Sequence, residues 1–310
     1  MIETRKPHLE ILDSILKCCR ELNGSNIVVF EILINAYKKK GFSTRLLGNR
    51  LELFWKVYNG MLEAKVDPNV YTYTNLINAH CKVGNVKDGK GLLFDMEEKG
   101  CSPSLVTYNV VIAGFCRAGA VDEAFELKKS MVDKGLAPDN YTYATLIDGL
   151  CKQKKSKEAK LLLEEMCSIG LKPDHIAYTA LINGFLKQGD ITEAFQVKEE
   201  MLANGIKLNV FTFNTLIQRL CKVGDMEKVK ALFSEMIEMG IKPDTQTYTC
   251  LMDGYYKEQN MVKAFELLIE MKNKNLAPTV YTYGVVINGL CRCGDLNGQI
   301  ECFKRWFSGF

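Results

Sequence analysis

From residue 70 onward, apolar residues recur in pairs of stripes, and the pair returns every 35 residues. Residues 210–244 serve as the sample. Phe213, Leu216, Ile217 and Leu220 fall at the spacing of one buried helical face, which predicts a helix from Phe213 through Cys221 and Lys222. Gly224 breaks it, and Gly84, Gly119, Gly189 and Gly294 fill the same slot in other units. Val229, Leu232, Phe233, Met236 and Ile237 form a second stripe, predicting a helix over about Met226–Met239. Gly240 closes that helix, and Ile241-Lys242-Pro243-Asp244 turns the chain into the next unit. Proline suits the turn because it has no N–H to continue a helix and drives its predecessor toward extended geometry.

The columns are regular. One aromatic column runs Tyr73, Tyr108, Tyr143, Tyr178, Phe213, Tyr248, Tyr283, and a methionine column runs Met96, Met131, Met166, Met201, Met236, Met271. The proline column is Pro68, Pro103, Pro138, Pro173, Pro243 and Pro278, with Leu208 as the one departure. A fixed period of this length is the signature of a repeat array. A lone helix pair cannot bury both stripes, whereas stacked pairs share one core. The predicted fold is all-α: a right-handed superhelical solenoid of antiparallel helix pairs with a concave face.

In this reading residues 1–26 form an N-terminal capping helix, with Leu9, Leu12, Ile15, Leu16 and Cys19 on one side. Residues 27–310 form the array, in units 27–69, 70–104, 105–139, 140–174, 175–209, 210–244, 245–279 and a partial 280–310. The first unit is eight residues too long, around Phe42 to Asn49, as a loop between its helices or an extension of one. Trp306 falls in the methionine slot of the last unit, which predicts a final capping helix.

Composition changes little of this. Of 310 residues 47% are hydrophobic and 25% charged, as in ordinary folded chains, and no apolar run approaches the ~20 residues of a membrane span. Glu3, Glu10 and Asp13 argue against an organellar transit peptide, which is rich in Arg and Ser and poor in acids. The protein either stays where it is made or this start is internal to a longer chain. Cys81, Cys116, Cys151, Cys221 and Cys291 share one slot, and sulfurs one repeat apart do not make a tetrahedral cluster. They are expected to be small buried packing residues in a reducing compartment. Cys291 with Cys293, and Cys18 with Cys19, lack a second pair at zinc spacing, so no metal is expected. His8, His80 and His175 are scattered; His175 opens a unit and is expected at the surface.

Net charge is only +3, so a polyanion partner has to be argued from where the charges sit. The thirteenth residue of every unit is basic: Lys39, Lys82, Arg117, Lys152, Lys187, Lys222, Lys257, Arg292. A cation complements a helix C-terminus, but an unbroken column also makes a ladder of positive charge matched to a phosphate backbone. The second residues are mostly large and apolar: Tyr71, Val106, Tyr141, Ile176, Phe211, Gln246, Tyr281. They either pack between repeats or sandwich bases. Two slots vary among small residues, most of them polar. The fifth residues are Glu31, Thr74, Asn109, Ala144, Thr179, Asn214, Thr249 and Gly284; the last residues are Asn69, Ser104, Asp139, Asp174, Asn209, Asp244 and Thr279. Such restricted variation is what a per-unit code looks like; capping of the first helix by the fifth residue is the plainer alternative. Neither a phosphate-cradling glycine loop, nor a deaminase signature, nor a nucleophile–base set is present, so no enzyme activity and no cofactor are expected.

The units resemble pentatricopeptide repeats of the plain 35-residue P class, and the chain is similar to plant fertility-restorer-like proteins. The resemblance rests on Val106-Thr107-Tyr108-Asn109, on Leu146-Ile147-Asp148-Gly149-Leu150-Cys151-Lys152 and on Lys172-Pro173-Asp174, and covers about residues 27–300. Tetratricopeptide repeats, which would make a peptide-binding scaffold, have period 34 and a W-x-x-L-G start absent here. The resemblance implies sequence-specific single-stranded RNA binding in mitochondria or chloroplasts, one base per unit, by a monomer that acts without a membrane and with other RNA-processing proteins. It implies base selection by the fifth and last residues, base sandwiching by the second and phosphate contact by the thirteenth. Asn109 with Asp139, and Asn214 with Asp244, would select U; Thr179 with Asn209 would select A. Thr74 with Ser104, and Thr249 with Thr279, imply a purine preference, and Ala144 with Asp174 is indistinct. Glu31 with Asn69 departs from the usual pairs. The implied core target is 5′-U-N-A-U-3′.

Overall fold

A computed structural model of the chain describes residues 47–292, and the expected capping segments 1–26 and 293–310 lie outside them. Among the described residues there are fourteen helices and no strand. They are α1 (Leu47–Glu63), α2 (Val70–Val83), α3 (Val86–Glu98), α4 (Leu105–Ala118), α5 (Val121–Asp133), α6 (Asn140–Lys152), α7 (Ser156–Ser168), α8 (His175–Gln188), α9 (Ile191–Ala203), α10 (Val210–Val223), α11 (Met226–Glu238), α12 (Thr245–Lys257), α13 (Met261–Asn273) and α14 (Val280–Arg292). From α2 to α12, each even-numbered helix opens a unit and packs on the helix that follows it, the arrangement of an αα-hairpin. The chain is an all-α helical-repeat solenoid. It divides into two compact bodies after Pro173.

Each helix starts and stops where its residues dictate. The first helices begin three residues before the aromatic, because the last residue of the preceding unit is the N-cap. Asn209 accepts from Thr212 N at 2.9 Å and Asp244 from Thr247 N at 2.8 Å. At the other end Gly224 sits at φ 87°, a left-handed turn that is cheap only for glycine. Two units lack that glycine and force Lys154 (φ 63°) and Gln259 (φ 60°) into the same turn. Helix α1 starts at Leu47, four residues before the position equivalent to Val86, so the end of the insertion extends a helix; residues 42–46 lie outside the described part.

The core is made of the repeated columns. Tyr73, Tyr108, Tyr178, Phe213 and Tyr248 are fully buried, as are Met61, Met96, Met131, Met166, Met201, Met236 and Met271. Each such side chain contributes about 1.5–3 kcal/mol by leaving water. A buried phenol needs a partner for its hydroxyl. Tyr143 donates to Glu165 at 2.8 Å and Tyr248 to Glu270 at 2.7 Å. Phe213 has no hydroxyl, and the equivalent Glu235 is taken by the buried Lys198 at 2.7 Å.

One sequence expectation is corrected and one scattered histidine is placed. His80 is buried, accepts from Trp55 Nε1 at 3.2 Å, and burial lowers its pKa. Within the cysteine column Cys81, Cys116, Cys151 and Cys221 are buried, but Cys291 on α14 is exposed. Burial pushes the Cys116 and Cys221 thiols up to about 12, so they are inert packing groups.

Candidate nucleic-acid interface

On a helix of 3.6 residues per turn, the second and thirteenth residues of a unit lie about 20° apart around the axis. They share one face of each first helix, and that face is open. Val106, Tyr141, Ile176, Phe211 and Tyr281 are 54 to 63% exposed. Gln246 is exposed and Tyr71 half-buried. This exposure disfavours packing between repeats as the reason for the large second residues. Lys82, Arg117, Lys152, Lys187, Lys222 and Lys257 are all exposed on the same face; the side chain of Arg292 lies outside the described residues.

The cations differ in their surroundings. Lys152 pairs with Asp148 at 2.6 Å and Lys257 with Asp253 at 2.7 Å, one helical turn back. Arg117, Lys187 and Lys222 make no ion pair among the described residues. The thirteenth residues therefore include both self-paired and available cations.

The fifth residues lie about 60° from the second, on the edge of this face. There they meet two groups from the start of the next first helix. Asn109 Nδ2 donates to Asp139 Oδ1 at 3.1 Å, and Asn109 Oδ1 accepts from the Thr142 hydroxyl at 2.6 Å. In the second body Asn214 repeats this with Asp244 at 3.0 Å and Thr247 at 2.6 Å. The threonines at the fifth position bond to the same third residue: Thr74 with Thr107 at 2.8 Å, Thr179 with Thr212 at 3.0 Å and Thr249 with Thr282 at 2.9 Å. Ala144 is buried; Asp174 accepts from the backbone of Ile176 and Ala177, both at 3.0 Å.

Capping therefore belongs to the other column. It is the last residues that cap: Ser104, Asp139, Asp174, Asn209, Asp244 and Thr279 each accept from a backbone N–H of the helix that follows. The fifth residues sit inside the first turn and a half and cap nothing. Burial pushes the Asp139 carboxyl up, but hydrogen bonds from Thr142, Asn109 and its own backbone outweigh this and hold the pKa below the usual value. Asp244 is lowered in the same way by Thr247, Asn214 and Gln246. Both caps are anions at neutral pH.

Two further columns went unread in the sequence. Gly114, Gly149 and Gly254 occupy the tenth position, where an added Cβ would lie 2.6, 2.8 and 2.7 Å from the sulfurs of Cys81, Cys116 and Cys221. The cysteines are thus half of a small-on-small contact that lets neighbouring first helices approach. The third position is threonine in nearly every unit: Thr72, Thr107, Thr142, Thr212, Thr247, Thr282. Both columns show at the 35-residue period, but nothing in a single unit says what they touch. Among the described residues, no cluster of His, Cys, Asp and Glu could hold a metal ion, and no helix is long and apolar enough to cross a membrane.

A solenoid of 35-residue helix pairs with an exposed basic and aromatic face is the class these features define. The sequence model of the PPR repeat family matches residues 25–82, 72–117, 103–152, 143–186, 173–222, 208–257 and 247–292, and that of the PPR repeat matches 281–307. The chain belongs to the PPR repeat family. It is similar to a mitochondrial pentatricopeptide repeat-containing protein of Arabidopsis thaliana, 39% identical over 128 aligned residues that cover 32% of this chain and 13% of that protein. In fold it is similar to the pentatricopeptide repeat protein PPR10 in complex with an 18-nt psaJ RNA element, with TM-score 0.59 and 24% identity over 85% of this chain and 40% of that one. PPR10 from maize gives TM-score 0.55 and 23% identity over 91% and 48%. The chain spans less than half the length of these solved relatives and about an eighth of the curated one.

Proposed function

We propose that this chain binds single-stranded RNA by sequence, one base per repeat, in an organelle. The observation that carries the proposal is the contact between the fifth and last residues of one unit, Asn109 with Asp139 and Asn214 with Asp244. In these two units the sequence-distant variable columns meet at one spot, on the edge of the face that carries the exposed second residues and the cations. In each pair Asn Oδ1 is taken by threonine, so what the amide offers outward is its second N–H. The bonds to each carboxylate fall on Oδ1, which leaves Oδ2 as an acceptor. One donor beside one ionised acceptor meets the O4 and N3–H of uracil. In this proposal Thr74 and Ser104, Thr179 and Asn209, and Thr249 and Thr279 read the other bases. Tyr71, Val106, Tyr141, Ile176, Phe211, Gln246 and Tyr281 stack on them, and the column Lys82 to Arg292 meets phosphates.

The relatives support the organellar and RNA parts: one carries a mitochondrial name, and PPR10 was solved with RNA. Mitochondrion is preferred over chloroplast on the same ground, and the P class on the uniform 35-residue period.

Equilibrium binding of the purified chain to RNAs containing 5′-UNAU-3′, over a range of salt, tests the proposal. Five to seven phosphate contacts give a log–log slope of about −3 to −5. Lys187→Glu with Lys222→Glu should flatten that slope and weaken all RNAs alike. A loss confined to one RNA sequence would show that these lysines do not contact phosphate.

A further inference from the structure

We infer that the third residue of the following unit is a positioning residue for base selection: Thr142 and Thr247 set which way the amides of Asn109 and Asn214 face. The inference rests on the function proposed above and adds to it a column outside the fifth, last, second and thirteenth.

The geometry is the same in both bodies. Thr142 and Thr247 are fully buried, and Asn109 and Asn214 are nearly so, at 6% and 3% exposed. An asparagine amide has two ends of similar shape and opposite hydrogen-bonding sense. The threonine hydroxyl lies 2.6 Å from the amide Oδ1 and 2.8 or 2.9 Å from the cap carboxylate, so the carbonyl end is held on the threonine and the N–H end on the carboxylate. Removing that hydroxyl strands a buried carbonyl oxygen, which has to find another partner by rotating the amide or leaving its rotamer. Either movement takes the N–H away from the base. The threonine also accepts from the backbone N–H of Asp139 or Asp244, at 3.2 and 3.1 Å, so one side chain ties cap and reader together.

The sequence carries a second, independent sign. From unit 70–104 onward, every Asn or Thr at the fifth position is followed in the next unit by Thr at the third: Thr74 by Thr107, Asn109 by Thr142, Thr179 by Thr212, Asn214 by Thr247, Thr249 by Thr282. Ala144, the one fifth residue in this run with no polar group, is followed by Ala177, the one third residue that is not threonine. A residue kept only for capping would not track the side chain of the preceding unit, and Asp174 caps its helix without it. The recognition element is thus the junction of two units, and grafting one unit alone would separate a reader from its support.

The test is a crossover in the full chain. Thr142→Val, Thr247→Val and Thr247→Ser are compared with the parent on RNAs that differ only at the base opposite unit 105–139 or only at the base opposite unit 210–244. Thr247→Val should cut the preference at the second position about tenfold and leave the first intact. Thr142→Val should do the reverse, and Thr247→Ser should restore the parent preference. Thermal melts report whether each variant folds. Preference ratios unchanged in both valine variants, with affinity lowered equally for every RNA, would reduce the threonines to caps and overturn the inference. A parent chain with no base preference at either position would overturn the proposed function beneath it, and the inference with it.

Discussion

Two junctions between neighbouring units solve the same packing problem in different ways. Where unit 105–139 meets 140–174, helices α4 and α6 approach through Cys116 and Gly149. Where unit 175–209 meets 210–244, the same two slots hold Leu186 and Arg219. There the Arg219 guanidinium reaches across and donates to the C-terminal carbonyls of α8, Leu186 O at 2.5 Å and Lys187 O at 3.1 Å. A small-on-small contact has been replaced by a charged clasp on a helix end, where a cation is favoured. Yet the fifth residue bonds to threonine at both junctions, Asn109 with Thr142 and Thr179 with Thr212. The fifth and tenth positions are about 7.5 Å apart along the helix. Spacing between helices and placement of the fifth residue are therefore set by different ends of the same helix and can vary separately.

That separation can be broken in order of expected effect. Gly149→Arg imports the clasp residue into the tight junction, where its Cβ alone would stand 2.8 Å from the Cys116 sulfur. The helices have to part, and the expected loss is about 1–3 kcal/mol or more, read as a lowered thermal midpoint; an unchanged midpoint would mean the tight junction has room to spare. Arg219→Ala should cost less, about 1 kcal/mol, for two hydrogen bonds on a partly exposed helix end. If it melted with the parent chain, the clasp would be decorative.

Acid separates the two junctions more gently, because one is capped by Asp139 and the other by the neutral Asn209. The folded pKa of Asp139 lies below its ordinary value of 3.8. Its contribution is therefore complete above the unfolded pKa and is lost as pH falls through the lower folded value. Amide exchange at the start of α6 should accordingly rise in strong acid before exchange at the start of α10 does. Equal onset at both would show that the carboxylate adds nothing to the cap.

Much of this was legible in the residues themselves. Local periodicity located both helices of the six units 70–279, the glycine stops, and the aromatic and methionine cores, because each rests on interactions within one or two helical turns. The face shared by Tyr141 and Lys152 also follows from their spacing. Capping by the fifth residue stayed open as an alternative because Asn109 and Asp139 are both good caps by type, and only the start of α6 at Asn140 shows which one precedes the helix. The cysteines were read as small core residues without their glycine partners, since Cys116 and Gly149 meet only once two units are stacked.

The chain alone thus determined what repeats and what each helix buries, because hydrophobic spacing and turn chemistry act over a few residues. Stacking decided the rest. The bonds that build the proposed reading position join residues 30 and 33 apart, Asn109 to Asp139 and to Thr142. Such bonds form only when one unit's first helix is laid against the start of the next, which is a property of the packed junction and of neither unit by itself.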